Sequence, residues 1–225
     1  MTGNRILDEL PSAAQRTLHR WQVALSAGER VLQQGGPISQ VVFPSSAVCA
    51  LVVELDSGEQ AETATVGREG FIGVPLVLGE HVSDANGVVQ VPGDAYRLPA
   101  KGVLDLCKEH EPFRRALFGY SAYRLHLATR SVACNSFHSI LQRLARWLLI
   151  VHDRVGRSDF RLTHEGLSAM LAATRPRVSQ AAARLKGEGI IDYRRGTIRI
   201  VDRQRLEAIA CECYGETRRL YPAML

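Results

Sequence analysis

The residues best placed to do chemistry lie between Arg175 and Lys186. Val178, Ala182 and Leu185 share one side of a helix at 3.6-residue spacing, while Pro176, Gln180 and Ala183 point the other way, flanked by Arg177, Ser179 and Arg184. Guanidinium groups pair with phosphate oxygens or a guanine edge, a carboxamide pairs with adenine, and small residues let a backbone approach closely. A thin helix of this kind suits the major groove of DNA. The same apolar stripe also fits two core helices of an α-rich protein, so its surroundings decide.

Those surroundings supply a scaffold. Leu162-Thr163-His164-Glu165 reads as a helix start, with Thr163 capping the orphan N–H groups and Glu165 in the first turn, where the helix dipole favours an acid. Leu167, Met170 and Leu171 give that helix an apolar face. Ala172-Ala173 forms a turn, Thr174 offers a second cap, and Pro176 fits early in the next helix because its missing N–H would have no partner there. After Gly187-Glu188-Gly189, the runs Ile190–Arg194 and Thr197–Val201 flank Arg195-Gly196 and predict a β-hairpin whose tip, Arg194-Arg195, can sit on phosphate. Asp202 caps a final helix with Leu206, Ile209 and Ala210 inward. Upstream, Phe137–Val155 is amphipathic, with Arg143, Arg146 and Arg154 on its polar side, and Phe160-Arg161-Leu162 is a short strand. Helix, helix, turn, basic helix and basic hairpin in this order is a winged helix-turn-helix. Charge agrees: residues 1–135 hold 12 Lys/Arg and 14 Asp/Glu, whereas 136–225 hold 16 and 9, a net of +7.

The first half has another texture. Val23–Leu25, Val31-Leu32, Gln40–Phe43, Val48–Leu55, Ala61–Val66, Gly87–Val91 and Ala95–Leu98 are short apolar runs separated by turns at Ala27-Gly28, Gly35-Gly36-Pro37, Asp56-Ser57-Gly58 and Pro92-Gly93-Asp94, which predicts an antiparallel sandwich or barrel after a helical start at 4–20. From Ala100 the pattern is helical. Phe113, Tyr120, Leu127 and Cys134 recur every seven residues, with Leu117, Arg124 and Ser131 between them. Such a seam pairs with a second helix, as in a dimer, or packs on the barrel. Asn135-Ser136 is taken as the hinge between domains.

Catalysis finds no support. His164-Glu165 hints at a zinc-protease helix, but Ser168 stands where the second histidine is needed, and no phosphate loop, nucleophile elbow or paired-carboxylate signal occurs. The five cysteines, Cys49, Cys107, Cys134, Cys211 and Cys213, are dispersed and odd in number. Cys211-Glu212-Cys213 is a weak metal signal with histidines distant in sequence, so no metal is assigned. With no secretory leader and no apolar run beyond the five residues Trp147–Val151, a reduced, cytoplasmic protein with no membrane partner is expected.

The arrangement resembles the cyclic-AMP receptor protein and fumarate–nitrate regulator (Crp/Fnr) family of bacterial transcription factors over nearly the whole chain. The resemblance rests on Gly67-Arg68-Glu69-Gly70-Phe71-Ile72-Gly73, Gln142-Arg143-Leu144-Ala145-Arg146-Trp147-Leu148-Leu149, and Leu162-Thr163-His164-Glu165 through Thr174-Arg175-Pro176-Arg177-Val178-Ser179. It implies an α+β fold: a cyclic-nucleotide-binding-type antiparallel β-barrel (jelly roll) over residues 1–111, a dimerisation helix over 112–135 and a winged helix-turn-helix over 136–225. It further implies a homodimer on a near-palindromic operator, often touching RNA polymerase. Arg175 matches the family's guanine-reading arginine. Pro176 replaces a base-reading acid, and Gln180 replaces a base-contacting arginine and can read adenine. Arg175, Arg177 and Gln180 are thus the expected base readers, with Thr163, Ser179, Arg184, Arg194 and Arg195 on phosphates (Arg177 can serve there too). Phe113, Leu117, Tyr120, Leu127 and Cys134 are the expected dimer seam.

The resemblance also implies a sensor. Where cyclic-nucleotide members carry a ribose-holding glutamate after Gly73 and a phosphate-pairing arginine about a dozen residues on, this chain has Val74 and Asp84, which argue against cyclic AMP or cyclic GMP. Arg68 or Arg97 could serve a different anion. An iron–sulfur cluster is argued against by the scattered cysteines. Haem on His81, His126 or His138 has no support. The expectation is a non-enzymatic, sequence-specific regulator with a degenerate sensor. The alternatives are a constitutive binder whose barrel only scaffolds dimerisation, and a ligand-binding barrel with a vestigial DNA-binding domain.

Overall fold

A computed structural model describes residues 1–220 except 157, 158, 162, 163 and 195. The expected caps and contacts at Thr163 and Arg195 lie outside the described residues. Two short 3₁₀ turns, Leu7–Glu9 and Leu18–Trp21, flank α1 (Ser12–Thr17). The strands then fall where apolar runs and turn residues alternate: β1 (Gln22–Leu25), β2 (Arg30–Leu32), β3 (Gln40–Pro44), β4 (Val48–Glu54), β5 (Gln60–Val66), β6 (Asn86–Val91) and β7 (Gly93–Pro99), with α2 (Val74–Val77) between β5 and β6. They form two antiparallel sheets, ordered β1-β7-β3 and β2-β6-β4-β5. Leu25, Val41, Phe43, Cys49, Val66, Val89 and Leu98 meet between them in one buried core, the jelly roll expected.

Helices α3 (Ala100–Glu109) and α4 (Glu111–Phe137) follow. The stripe expected at the dimer seam lies mostly inside the chain. Phe113, Leu117 and Tyr120 are buried in the barrel core, Leu127 packs against its edge, and Cys134 is buried among other cysteines. Rings hold this contact: Phe43 lies 5.7 Å from Phe71, and Phe71 5.3 Å from Tyr120. The hinge also moves. Helix α4 continues through Asn135 and Ser136, whose hydroxyl donates to the Val132 carbonyl, and ends at His138. The break is set instead by Ser139, which opens α5 (Ile140–Val155) with a full capping box to Gln142.

Gly70 shows how tight the barrel–helix contact is. A Cβ there would collide with the Tyr120 ring, which neighbouring aromatic rings hold in place. Gly70→Ala is therefore expected to destabilise the protein by about 1–3 kcal/mol. Urea unfolding measures this, and an unchanged midpoint would refute the packing.

In the C-terminal half, β8 (Asp159–Arg161), α6 (His164–Leu171), α7 (Arg175–Gly187), β9 (Ile191–Arg194), β10 (Thr197–Ile200) and α8 (Arg203–Ile209) form a winged helix-turn-helix, its sheet ordered β8-β10-β9. Leu144, Leu148, Leu167, Leu171, Val178, Leu185, Ile198 and Leu206 make its core, joined by Val48 and Val91 from the barrel. Asp202 caps α8 through the Arg205 N–H as expected, but α8 is not the last helix: α9 (Cys213–Leu220) follows and buries Cys213, Tyr214 and Thr217.

Candidate DNA-binding face and its joint with the barrel

The turn between α6 and α7 is built under strain. Ala172 adopts φ +42°, a left-handed conformation that suits glycine better than alanine. Arg143, expected on a solvent face, is buried and donates to the Leu171 carbonyl at the end of α6, where a cation complements the helix dipole. Thr174 occupies the N-cap of α7, but its side chain makes no capping hydrogen bond, and Pro176 stands in the first turn.

Helix α7 then divides as its sequence predicts. Val178, Ala181, Ala182 and Leu185 are buried. Arg175, Pro176, Arg177, Gln180, Ala183 and Arg184 are exposed, and Ser179 is half-buried. Arg184 pairs with Glu188 at 3.0 Å and Arg194 with Asp192 at 3.0 Å. Each acid also has a second cation within 4 Å, Arg205 for Glu188 (3.8 Å) and Lys186 for Asp192 (3.6 Å). Exposed pairs of this kind are worth about 0–1 kcal/mol, so a phosphate can displace the acids. Lys186 and the exposed wing residue Arg199 extend this basic edge beyond the residues singled out from sequence.

The motif Gly67-Arg68-Glu69-Gly70 turns out to be a joint. Glu69 Oε1 accepts from the Gly67 N–H at 3.1 Å and from Arg154 Nε of α5 at 2.7 Å. Side-chain exposures of 5% for Arg154 and 1% for Glu69 make this a buried ion pair, not part of a polar surface. Nearby, Trp147 Nε1 donates to Glu62 Oε1 of β5 at 3.3 Å. A cleft of about 280 Å³ beside the joint is lined by Arg68, Arg154 and Arg218. Arg97 pairs with Glu29 of the barrel at 2.6 Å.

At the expected effector positions, Gly73 has φ +114° and starts the four-residue α2, Val74 packs against the barrel core, and Asp84 is exposed. A Cβ on Gly73 would touch Val41 and Ile38.

The structure also joins residues that sequence separation kept apart. Sγ of Cys134, Cys211 and Cys213 and a ring nitrogen of His138 all lie within 4.8 Å of one another. The Cys211 thiol holds the Cys134 thiol below the usual range, aided by Arg146, while Cys49 in the barrel is pushed up to about 12 by burial. Among the described residues no helix is long and apolar enough to cross a membrane.

A jelly roll followed by a long helix and a winged helix-turn-helix defines a two-module DNA-binding architecture. Residues 22–110 match the cyclic nucleotide-binding domain, and 142–209 match the Crp-like helix-turn-helix domain. The two segments take up more than two thirds of the chain, and the protein belongs to the Crp/Fnr family of transcription regulators. Solved structures share the fold. FixK2 from Bradyrhizobium japonicum has a TM-score of 0.72 at 16% identity, covering 84% of this chain and 96% of that one. A putative Crp/Fnr-family regulator from Eubacterium rectale has a TM-score of 0.71 at 16% identity, covering 93% and 99%. The c-di-GMP responsive global regulator CLP of Xanthomonas campestris has a TM-score of 0.63 at 14% identity, covering 80% and 92%. No curated protein sequence matches the chain significantly.

Proposed function

We propose that this regulator binds a near-palindromic operator as a homodimer in the cytoplasm, without enzymatic activity, and that its signal is not cyclic AMP or cyclic GMP. The observation that carries DNA reading is α7, whose buried stripe leaves Gln180 opposite it and Arg175 and Arg177 exposed on its two flanks. Arg175 and Arg177 suit guanine and Gln180 adenine. Ser179, Arg184 and Arg194 suit the flanking phosphates.

Dimerisation uses the face of α4 turned away from the barrel. Phe118, Leu125 and Val132 repeat every seven residues and are 48%, 71% and 70% exposed. Ala122, Thr129 and Ser136 fill the positions four residues on, all exposed. This heptad stripe replaces the seam expected from Phe113, Tyr120, Leu127 and Cys134. Paired α4 helices place two α7 helices for half-sites about 34 Å apart, and a signal at the barrel or the Glu69–Arg154 joint shifts their spacing.

Val74 has no group to bond a ribose hydroxyl, and the Asp84 carboxylate repels a cyclic phosphate. Calorimetric titration with cyclic AMP and cyclic GMP should give no heat of binding. Because CLP of Xanthomonas campestris is a c-di-GMP responsive regulator, cyclic di-GMP belongs in the same panel.

The test is selection of bound sites from random DNA, followed by affinity measurements. Arg175→Ala is expected to cost about 1–3 kcal/mol on the selected operator and far less on random duplex. Equal losses on both would remove base reading by this residue. A flat plot of log affinity against log salt would remove phosphate contact altogether.

A further inference from the structure

The structure assigns a mononuclear, zinc-type metal site to Cys134, His138, Cys211 and Cys213, where the end of α4 meets the start of α9. This cluster is separate from the DNA-reading face of α7.

Four-coordinate zinc holds thiolate sulfur at about 2.3 Å and imidazole nitrogen at about 2.0 Å, so the edges of its tetrahedron are about 3.8 Å between sulfurs and about 3.5 Å from sulfur to nitrogen. Here Sγ of Cys134 and Cys211 are 3.6 Å apart, Cys213 Sγ and His138 Nδ1 are 3.7 Å apart, and every pair is within 4.8 Å. Ligands this close surround a single ion. An iron–sulfur cluster places several irons and sulfides between its cysteines and needs a wider cage. Three sulfurs and a nitrogen exclude magnesium and calcium, which take oxygen.

The surroundings are those of a ligand set. All three thiols are buried, at 0%, 3% and 2% exposure, and none is in a disulfide. His138 Nε2 lies 3.1 Å from the Glu212 carboxylate. Donation of Nε2–H to that acid fixes the tautomer and turns the Nδ1 lone pair toward the sulfurs, the second partner that metal-binding histidines need. Cys134 and His138 sit one turn apart at the end of α4, joined by the His138 N–H to Cys134 carbonyl bond of 3.1 Å. Cys211 and Cys213 lead into α9. Binding of the divalent ion releases three thiol protons to solvent and forms three metal–sulfur bonds and one metal–nitrogen bond, leaving a net charge of −1 beside Arg146. Four protein ligands close the coordination, as in a structural site. The ion ties the long helix to the last helix of the DNA-binding domain across the His138-Ser139 break.

The full-length protein, purified reduced and without oxygen, is expected to carry one zinc per chain by elemental analysis. After chelation, titration with Co²⁺ should saturate at one ion per chain, with tetrahedral d–d bands and thiolate charge-transfer absorption. Cys211→Ser should abolish that spectrum, and Cys107→Ser should not change it. His138→Cys adds a fourth thiolate and should keep the stoichiometry while raising the charge-transfer band by about a third. This variant guards against a fold lost in the serine substitution. Absence of metal together with a featureless Co²⁺ titration, an octahedral Co²⁺ spectrum, iron with sulfide in the isolated protein, or a Cys134–Cys211 disulfide with no metal uptake after reduction would each overturn the site.

Discussion

Leu125→Glu should convert the protein from a dimer to a monomer and weaken operator binding by about 100-fold or more. Leu125 is 71% exposed in one chain, between Phe118 and Val132 on the same stripe of α4. In the proposed dimer a glutamate there meets its own copy across a symmetric seam and places two carboxylates in an apolar contact. Folding of the single chain does not depend on it, because the barrel side of α4 is filled by Phe113, Leu117 and Tyr120. A monomer reads one half-site, so the gain from linking two binding events is lost, and the slope of log affinity against log salt falls by about half. Analytical ultracentrifugation gives the oligomeric state, and operator titration gives the affinity. A Leu125→Glu protein that sediments as a dimer would rule out this seam.

That prediction depends on a distinction the sequence could not make. Helix α4 carries two heptad stripes, Phe113/Tyr120/Leu127/Cys134 and Phe118/Leu125/Val132, offset by five residues and so about 140° around the helix. Periodicity detects both and says nothing of which one meets the chain's own barrel. The strands of the jelly roll and the basic helix α7 were legible because their signals are local: apolar runs between glycine turns, and a 3.6-residue stripe with arginines opposite. Helix α9 was not legible, since Cys213-Tyr214-Gly215-Glu216-Thr217-Arg218-Arg219-Leu220 is mostly polar and contains a glycine. The Cys/His cluster was hidden because Cys134 and Cys211 are 77 residues apart, a separation only the tertiary fold closes. Arginines misled for a related reason. The polar side of α5 reads as solvent-facing, yet it carries Arg143 to the end of α6 and Arg154 to the barrel.

Arg154 gives the second large effect. Glu69→Ala is expected to destabilise the protein by about 3–5 kcal/mol, because it leaves a buried guanidinium without its ion-pair partner. The pair is 2.7 Å apart, and the two side chains are 5% and 1% exposed, so solvent cannot compensate. Arg154→Met should be costly for the converse reason, as among the described residues the Glu69 carboxylate keeps only the Gly67 N–H. Buried pairs are not strongly stabilising relative to apolar packing, since desolvation offsets the attraction, and here Glu69 Oε2 has no hydrogen-bond partner among the described residues. The double variant Glu69→Leu/Arg154→Met should therefore recover most of either single loss. Urea unfolding followed by the fluorescence of Trp21 and Trp147 supplies all three values. Trp147 sits at the joint through its bond to Glu62, so its emission should shift before that of the barrel when the joint opens. Singles within about 0.5 kcal/mol of the parent would mean that α5 leaves the barrel in solution, and the route from sensor to DNA through Glu69 would fall with it.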